Sequence, residues 1–240
     1  MPKIRFHPHS QMTTEFSPEP KPGIRFVPEW YKAQPGSKND EEFIPHGMSG
    51  STVKRCMPVF DAMTAGYIMS APCDIHLDAT NPEELKWSIP LGVRAIMGDM
   101  FSRHAYEQYD HYPIDPSTHH KQLLRIMPFW SVETDEGYST LFMNPHHTDA
   151  SPLWAVSGLV DTDKFISEGH LSFLVRKDFK GIIKQGTPLI QVLPMRREDW
   201  ESEIVDPVLS KAAFEKQRFN LRSTFMNGYK NKFRSKKEYK

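Results

Sequence analysis

Along most of the chain, short runs of β-branched, aromatic or alternating apolar residues are bounded by Gly, Pro, Asn or Asp. That is the period-two signature of half-buried strands. Strands are expected over residues 67–71, 74–79, 86–89, 93–97, 123–133, 138–143, 154–160, 170–176 and 189–193. Helical spacing is expected in two places. Between residues 51 and 65, Pro58 suits a first helical position, Phe60 and Met63 share a face, and Gly66 suits the end. From Pro207 to about Phe225, Leu209, Ala212, Ala213 and Lys216 fall at compatible positions. The pattern predicts a β domain at 51–200, a Pro-rich arm at 1–50 and a helical basic tail at 201–240.

Two segments break the rhythm. The first fifty residues hold eight prolines, each of which fixes φ and removes a ladder donor. Within that arm Ile4-Arg5-Phe6-His7-Pro8 recurs as Ile24-Arg25-Phe26-Val27-Pro28. Two copies are too few for a solenoid; coincidence or two similar edge strands is the expectation. Trp30 and Tyr31 are read as an aromatic anchor. Residues 99–121, with four histidines and three tyrosines, are read as a polar aromatic insertion.

Composition supports a loop-rich globular protein. The chain has 240 residues, enough to bury a core without disulfides. Its 20 prolines are well above the usual share of about 5%. No apolar run nears the ~18 residues of a membrane span, and no signal-peptide core opens the chain. Cys56 and Cys73 form neither a CxxC pair nor a disulfide framework. The chain therefore reads as soluble and cytosolic, without a membrane partner.

Lys and Arg number 30, as do Asp and Glu, which at first excludes a generally basic nucleic-acid coat. The balance hides a gradient. Residues 211–240 carry ten basic residues against Glu215 and Glu238, so the tail is strongly cationic and the body anionic. One reading is a solvated terminal helix. The other is a grip on an anionic partner, either another subunit's acidic body or nucleic acid, through residues such as Lys232, Arg234, Lys236 and Lys237.

Eleven histidines invite a metal. His147-x-Asp149 has the i, i+2 spacing of two ligands on one strand, and His170 is the downstream third; loop or packing histidines are the alternative. No cofactor is expected; magnesium or a transition metal is the alternative, and no motif demands one. HExxH, P-loop, GxSxG and GxGxxG patterns are absent. The richest stretch runs Ser157-Gly158-Leu159-Val160-Asp161-Thr162-Asp163-Lys164, then a strand, then Gly186-Thr187-Pro188-Leu189-Ile190-Gln191-Val192. Asp161 and Asp163 end a strand in a carboxylate-rich turn. Beside a pocket, such a carboxylate can serve as a general base towards water; alternatively both make Asx-type bonds to their own turn. Gly158 and Gln191 are the candidate binding residues.

The order of these segments resembles the dUTP pyrophosphatase and dCTP deaminase superfamily, in which a G-[VL]-[IV]-D-x-D turn precedes a strand and a later glutamine-bearing strand. Thr64-Ala65-Gly66-Tyr67 resembles its opening strand and Ile89-Pro90-Leu91-Gly92 its I-P-x-G turn. The resemblance, over about residues 64–195, implies a distorted jelly-roll β-barrel, commonly trimeric, with Asp161 at the water-activating position. Ile68 stands where that family has an acidic residue helping to hold magnesium, Lys164 replaces a stacking aromatic, and residues 138–150 hold no P-R-S-G turn. The chain also resembles an uncharacterised family of tailed phages and some bacteria. That resemblance rests on Pro28-Glu29-Trp30-Tyr31, residues 53–67, Gly137 through Phe142 and Ser157 through Asp163.

Two readings follow. In the first the protein is a non-catalytic dUTPase-like binding or structural module of phage type. It forms homo-oligomers, with a trimer among the forms, through its arms, with other phage proteins as further partners, in the host cytoplasm or the virion. In the second it is a nucleotide hydrolase or deaminase using Asp161 as general base.

Overall fold

The computed structural model describes residues 1–37, 52–127, 129–148, 151–166, 171–222 and 228–240. Strand accounts for 29% of the chain and helix for 26%, so the architecture is mainly β. The chain divides into two units, one of residues 1–26 with 63–197, the other of residues 27–62 with 198–240.

The first unit holds fourteen described strands in chain order: β1 (Ile4–Pro8), β2 (Lys21–Pro22), β3 (Tyr67–Ser70), β4 (Ile75–Asp78), β5 (Lys86–Ser88), β6 (Phe101–Arg103), β7 (Leu124–Ile126), β8 (Trp130–Thr134), β9 (Tyr138–Met143), β10 (Leu153–Ala155), β11 (Gly158–Val160), β12 (Leu171–Val175), β13 (Lys180–Ile183) and β14 (Pro188–Arg196). They form antiparallel sheets in the orders β11-β9-β14-β3-β2, β10-β12-β7-β6 and β13-β4-β5, with β1 on β8. None closes into a barrel among the described residues. Two short helices, α1 (Gln11–Phe16) and α4 (Leu91–Met97), accompany them.

β14 is the spine because its residues can be buried on both faces. Leu189, Ile190, Gln191 and Val192 are all buried in succession, the continuous pattern of a strand covered on two sides. Pro194 is tolerated because β3 pairs only as far as Val192, so at Pro194 the strand has β9 alone beside it. On β3, Tyr67, Ile68 and Met69 are likewise buried.

Several local expectations change. Residues 93–97 lie in helix α4 instead of a strand. Pro90 precedes its first residue and accepts from the Arg94 N–H at 3.0 Å, and Gly98 ends it at φ 71°. The expected strand at 123–133 is two strands, β7 and β8, in different sheets; Pro128, which has no N–H to donate, falls between them in the sequence. β13 had no counterpart in the pattern because Lys180-Gly181 masks it. The two copies of the Ile-Arg-Phe repeat differ in conformation: the first is β1, whereas the second lies in a 3-10 turn at Gly23–Phe26. The aromatic insertion is tied to the sheets. His120 is buried between the Asn81 carbonyl and the Gln122 N–H, and Tyr109 donates to Ser172 Oγ at 3.0 Å.

The second unit contains α2 (Glu29–Ala33), the start of α3 (Met57–Thr64), α5 (Pro207–Arg222) and α6 (Gly228–Lys232). Tyr31 is its buried aromatic, stacked on Phe60 at 5.9 Å, with Trp30 edge-on to it at 5.6 Å. Most of α5 is exposed, including Val208, Leu209, Phe214 and Phe219.

Candidate functional site

The turn after β11 is built around Thr162. Its side chain is fully buried, and its hydroxyl lies 2.8 Å from that of Thr134 and 2.7 Å from that of Thr140. Three buried hydroxyls satisfying one another remove the cost of leaving each unpaired. With Thr162 plugged inward, the residues on either side are turned away from it. The Asp161 carbonyl accepts from the Lys164 and Phe165 N–H groups, both at 3.0 Å, and closes the turn.

The two carboxylates have different surroundings. The Asp163 side chain is 3% exposed and is gripped by both Nη atoms of Arg197, Nη1 lying 2.8 Å from Oδ1. The Gly137 N–H adds a third bond at 2.9 Å. The Arg197 guanidinium holds the Asp163 carboxyl well below the usual carboxylate range, and Asp163 in turn raises Arg197. Asp161 is half-exposed. It accepts from Ser139 Oγ at 2.6 Å and stands 3.4 Å from Arg197 Nη1, which also donates to the Tyr138 carbonyl and Ser139 Oγ. The turn is thereby fastened to the start of β9 and the end of β14.

Arg197 is the residue that sequence reasoning missed. It stands 34 positions from Asp163, directly after the last strand, and no motif marks it. Only the β11-β9-β14 order brings it to the turn.

No known protein family, curated protein or solved structure matches this chain.

The other sequence candidates disperse. Gly158 opens β11 opposite Phe142, exposed, with open space where a Cβ would sit. Gln191 is fully buried and structural in its contacts: Oε1 accepts from the His146 N–H at 3.0 Å, and Nε2 donates to the Ala65 carbonyl at 2.8 Å. His147 sits on the turn that Gln191 supports, whereas Asp149 and His170 lie outside the described residues. Among the described residues no three His, Cys, Asp or Glu side chains converge as metal ligands. Ile68 is 1% exposed and has no donor atom. That position does not fit a metal.

In the second unit, Arg234 is bidentate on Asp61, with Nη2 2.6 Å from Oδ1 and Nε 3.0 Å from the same oxygen. Lys237 approaches the other oxygen at 3.4 Å. Chiefly through its bonds from Arg234, Asp61 is held below its ordinary pKa. Lys232 donates to the Asn220 carbonyl, and Lys236 pairs with Glu238 at 2.5 Å. Among the described residues no helix is long and apolar enough to cross a membrane.

Proposed function

We propose that this chain is a non-catalytic binding or structural module of phage type. It carries a distorted jelly roll of the dUTPase kind and assembles with copies of itself, in the trimer its resemblance implies, through arm and tail. The observation that carries the reading is the commitment of the turn carboxylates. Asp163 is taken up by Arg197 and Gly137, and Asp161 accepts from Ser139 beside the same guanidinium. The pair fastens strand ends together. A nucleotide hydrolase needs free cationic or metal charge where phosphate charge develops. Here the nearest guanidinium is already neutralised, and Ile68 offers no metal ligand.

Exposed apolar side chains support assembly. In the second unit Trp200 is 87% exposed and Ile204 fully so, a surface better suited to a partner than to water. The cationic tail suits an acidic body of another copy, and phage proteins or nucleic acid are further partners. The phage setting, in host cytoplasm or virion, rests on the resemblance at residues 28–31, 53–67, 137–142 and 157–163.

The test is to incubate the purified chain with magnesium and dUTP or dCTP, and to follow pyrophosphate and ammonia. No turnover is expected. Turnover lost in Asp161→Asn would establish the hydrolase or deaminase reading instead. Light scattering should return a multiple of the chain mass; the mass of a single chain overturns assembly. A salt-dependent shift of nucleic acid, abolished by deleting 211–240, would make nucleic acid the tail's partner.

A further inference from the structure

Two sheet edges line one groove in the first unit. β5 ends the β13-β4-β5 sheet, and β6 ends the β10-β12-β7-β6 sheet. Leu85, Trp87 and Ile89 on and beside β5, Phe101 and Arg103 of β6, and Leu91 of α4 enclose about 510 Å³. An edge strand turns alternate N–H and C=O groups away from its sheet. At β6 the register says which. Met127 donates to the Met100 carbonyl at 2.8 Å and His104 to that of Leu123 at 3.1 Å, with Ser102 opposite Arg125 between them. The bonds to β7 thus fall on residues 100, 102 and 104, and the backbone groups of Phe101 and Arg103 point outward. On β4, Ala79 donates to the Phe179 carbonyl of the β13 side at 2.8 Å. His76 and Asp78 therefore bond to Ser88 and Lys86, and Trp87 points outward. The backbone groups of Trp87, Phe101 and Arg103 have no hydrogen-bond partner among the described residues.

Arg103 ties the two edges together. Its Nη2 donates to the Leu85 carbonyl at 3.2 Å, and its guanidinium lies 5.7 Å from the centre of the Trp87 ring. Glu84 is shared by Arg103 and Lys86, each at 3.3 Å, while Arg94 pairs with Asp99 at 2.9 Å. The lining, all of it from the described residues 84–103, thus sets three cations against two carboxylates. One positive charge is left over. The exposed Leu91 side chain adds an apolar lip.

The chain itself carries a segment of matching chemistry. Asp199-Trp200-Glu201-Ser202-Glu203-Ile204-Val205 sets acids at every second position and Trp200 and Ile204 on the other face. That is the period of a strand, yet the segment belongs to no strand, and its backbone makes no hydrogen bond among the described residues. We infer that residues 199–205 of a second copy lie in this groove as a strand added to β6. Its main chain bonds to Phe101 and Arg103, its Trp200 and Ile204 meet Trp87 and Leu91, and its acids stand beside the surplus cation. In such strand addition the main-chain bonds supply affinity and the alternate side chains supply the choice of partner. The basic residues of 211–240 would bring like charge to the same rim and are not the occupant. This contact rests on the assembly reading and gives that assembly a specific joint.

The experiment is light scattering over a concentration series on the full chain and two full-length variants. A segment variant, Trp200→Ser with Ile204→Ser, keeps the groove. An edge variant, Arg103→Pro, keeps the segment but loses an outward N–H, and proline is tolerated on edge strands. The parent should assemble, and association of each variant alone should fall about tenfold or more. An equal mixture of the two variants should recover a complex, because one brings the groove and the other the segment. Circular dichroism checks that both fold. Should Arg103→Pro not fold, a fluorescent peptide of residues 198–206 is titrated into the segment variant instead. N-methylation of alternate peptide amides should then abolish binding in one set and spare it in the other. A parent of single-chain mass at every concentration overturns the assembly reading and this contact with it. An assembled parent overturns this contact alone if the variants assemble equally well, if their mixture recovers nothing, or if the peptide does not bind or ignores N-methylation.

Discussion

Arg197 closes both arms of its guanidinium on the carboxylate of Asp163, although the two residues stand 34 positions apart in the sequence. The pair holds a turn, the start of β9 and the end of β14 together. Asp163→Asn should lower the thermal midpoint by several degrees at neutral pH. Asp161→Asn, at a half-exposed site, should cost about 2 °C or less. The pH dependence has a definite sign. The folded-state pKa of Asp163 is depressed, so its stabilisation is fully present above the ordinary carboxylate value of about 3.9. It is lost as pH falls below that value towards the folded one. Urea midpoints should stay level from neutrality to about pH 5 and drop below about pH 4, with a shallower acid drop in Asp163→Asn. An equally steep drop in the variant would show that other carboxylates govern acid unfolding.

The second unit has an analogous clasp, but its purpose is to hold the end of the tail. Arg234 and Lys237 both reach Asp61, and the Arg234 guanidinium also lies over the Phe60 ring at 5.9 Å. Removing the shared acceptor should free both cations together. In Asp61→Asn, trypsin should cut after Arg234, Lys236 and Lys237 several-fold faster than in the parent, with cleavage at Lys3 unchanged. Equal rates would mean that the clasp does not restrain the tail.

Much of the β pattern was legible because strand residues announce their faces. Residues 67–70, 138–143 and 189–193 alternate or run apolar, and each lies within a strand. Asp161 and Asp163 were also legible as a turn, since acidic residues after a short apolar run signal one. What the carboxylates do was not legible. Their partners Ser139 and Arg197 arrive through sheet order, a long-range property with no local mark. The same holds for Gln191, whose amide was visible in the sequence but whose task of supporting the His146 turn follows from packing. Residues 93–97 misled because Val and Ile favour strands, and the Pro90 and Gly98 boundaries outweighed that preference.

Gly66 should be the least replaceable of the described glycines. It joins α3 to β3 at φ 64°, and a Cβ there would drive into the backbone carbonyl of Val192 on the central strand. Gly137, at φ 84°, faces open space. Gly137→Ala should therefore show only the left-handed strain of roughly 1–2 kcal/mol. Gly66→Ala adds a clash between two backbones that cannot both give, so it should lower stability well beyond that or abolish the soluble folded protein. Comparable urea midpoints for the two variants would contradict the close approach.

The two cysteines should differ sharply as nucleophiles. Cys56 is exposed, whereas Cys73 is 4% exposed, and burial, with a smaller push from Asp74, drives its thiol up to about 11. Since the thiolate is the reactive form, Cys73 is doubly protected at pH 8, by its protonation and by lack of access. Reaction with a chromogenic aromatic disulfide should release one equivalent of thiolate quickly from the native chain and a second only after guanidinium unfolding. In Cys56→Ser the fast phase should vanish while the unfolded chain still yields one equivalent. Rapid labelling of native Cys56→Ser would show that the strands around Cys73 open readily, and would place this part of the first unit at the low end of its local stability.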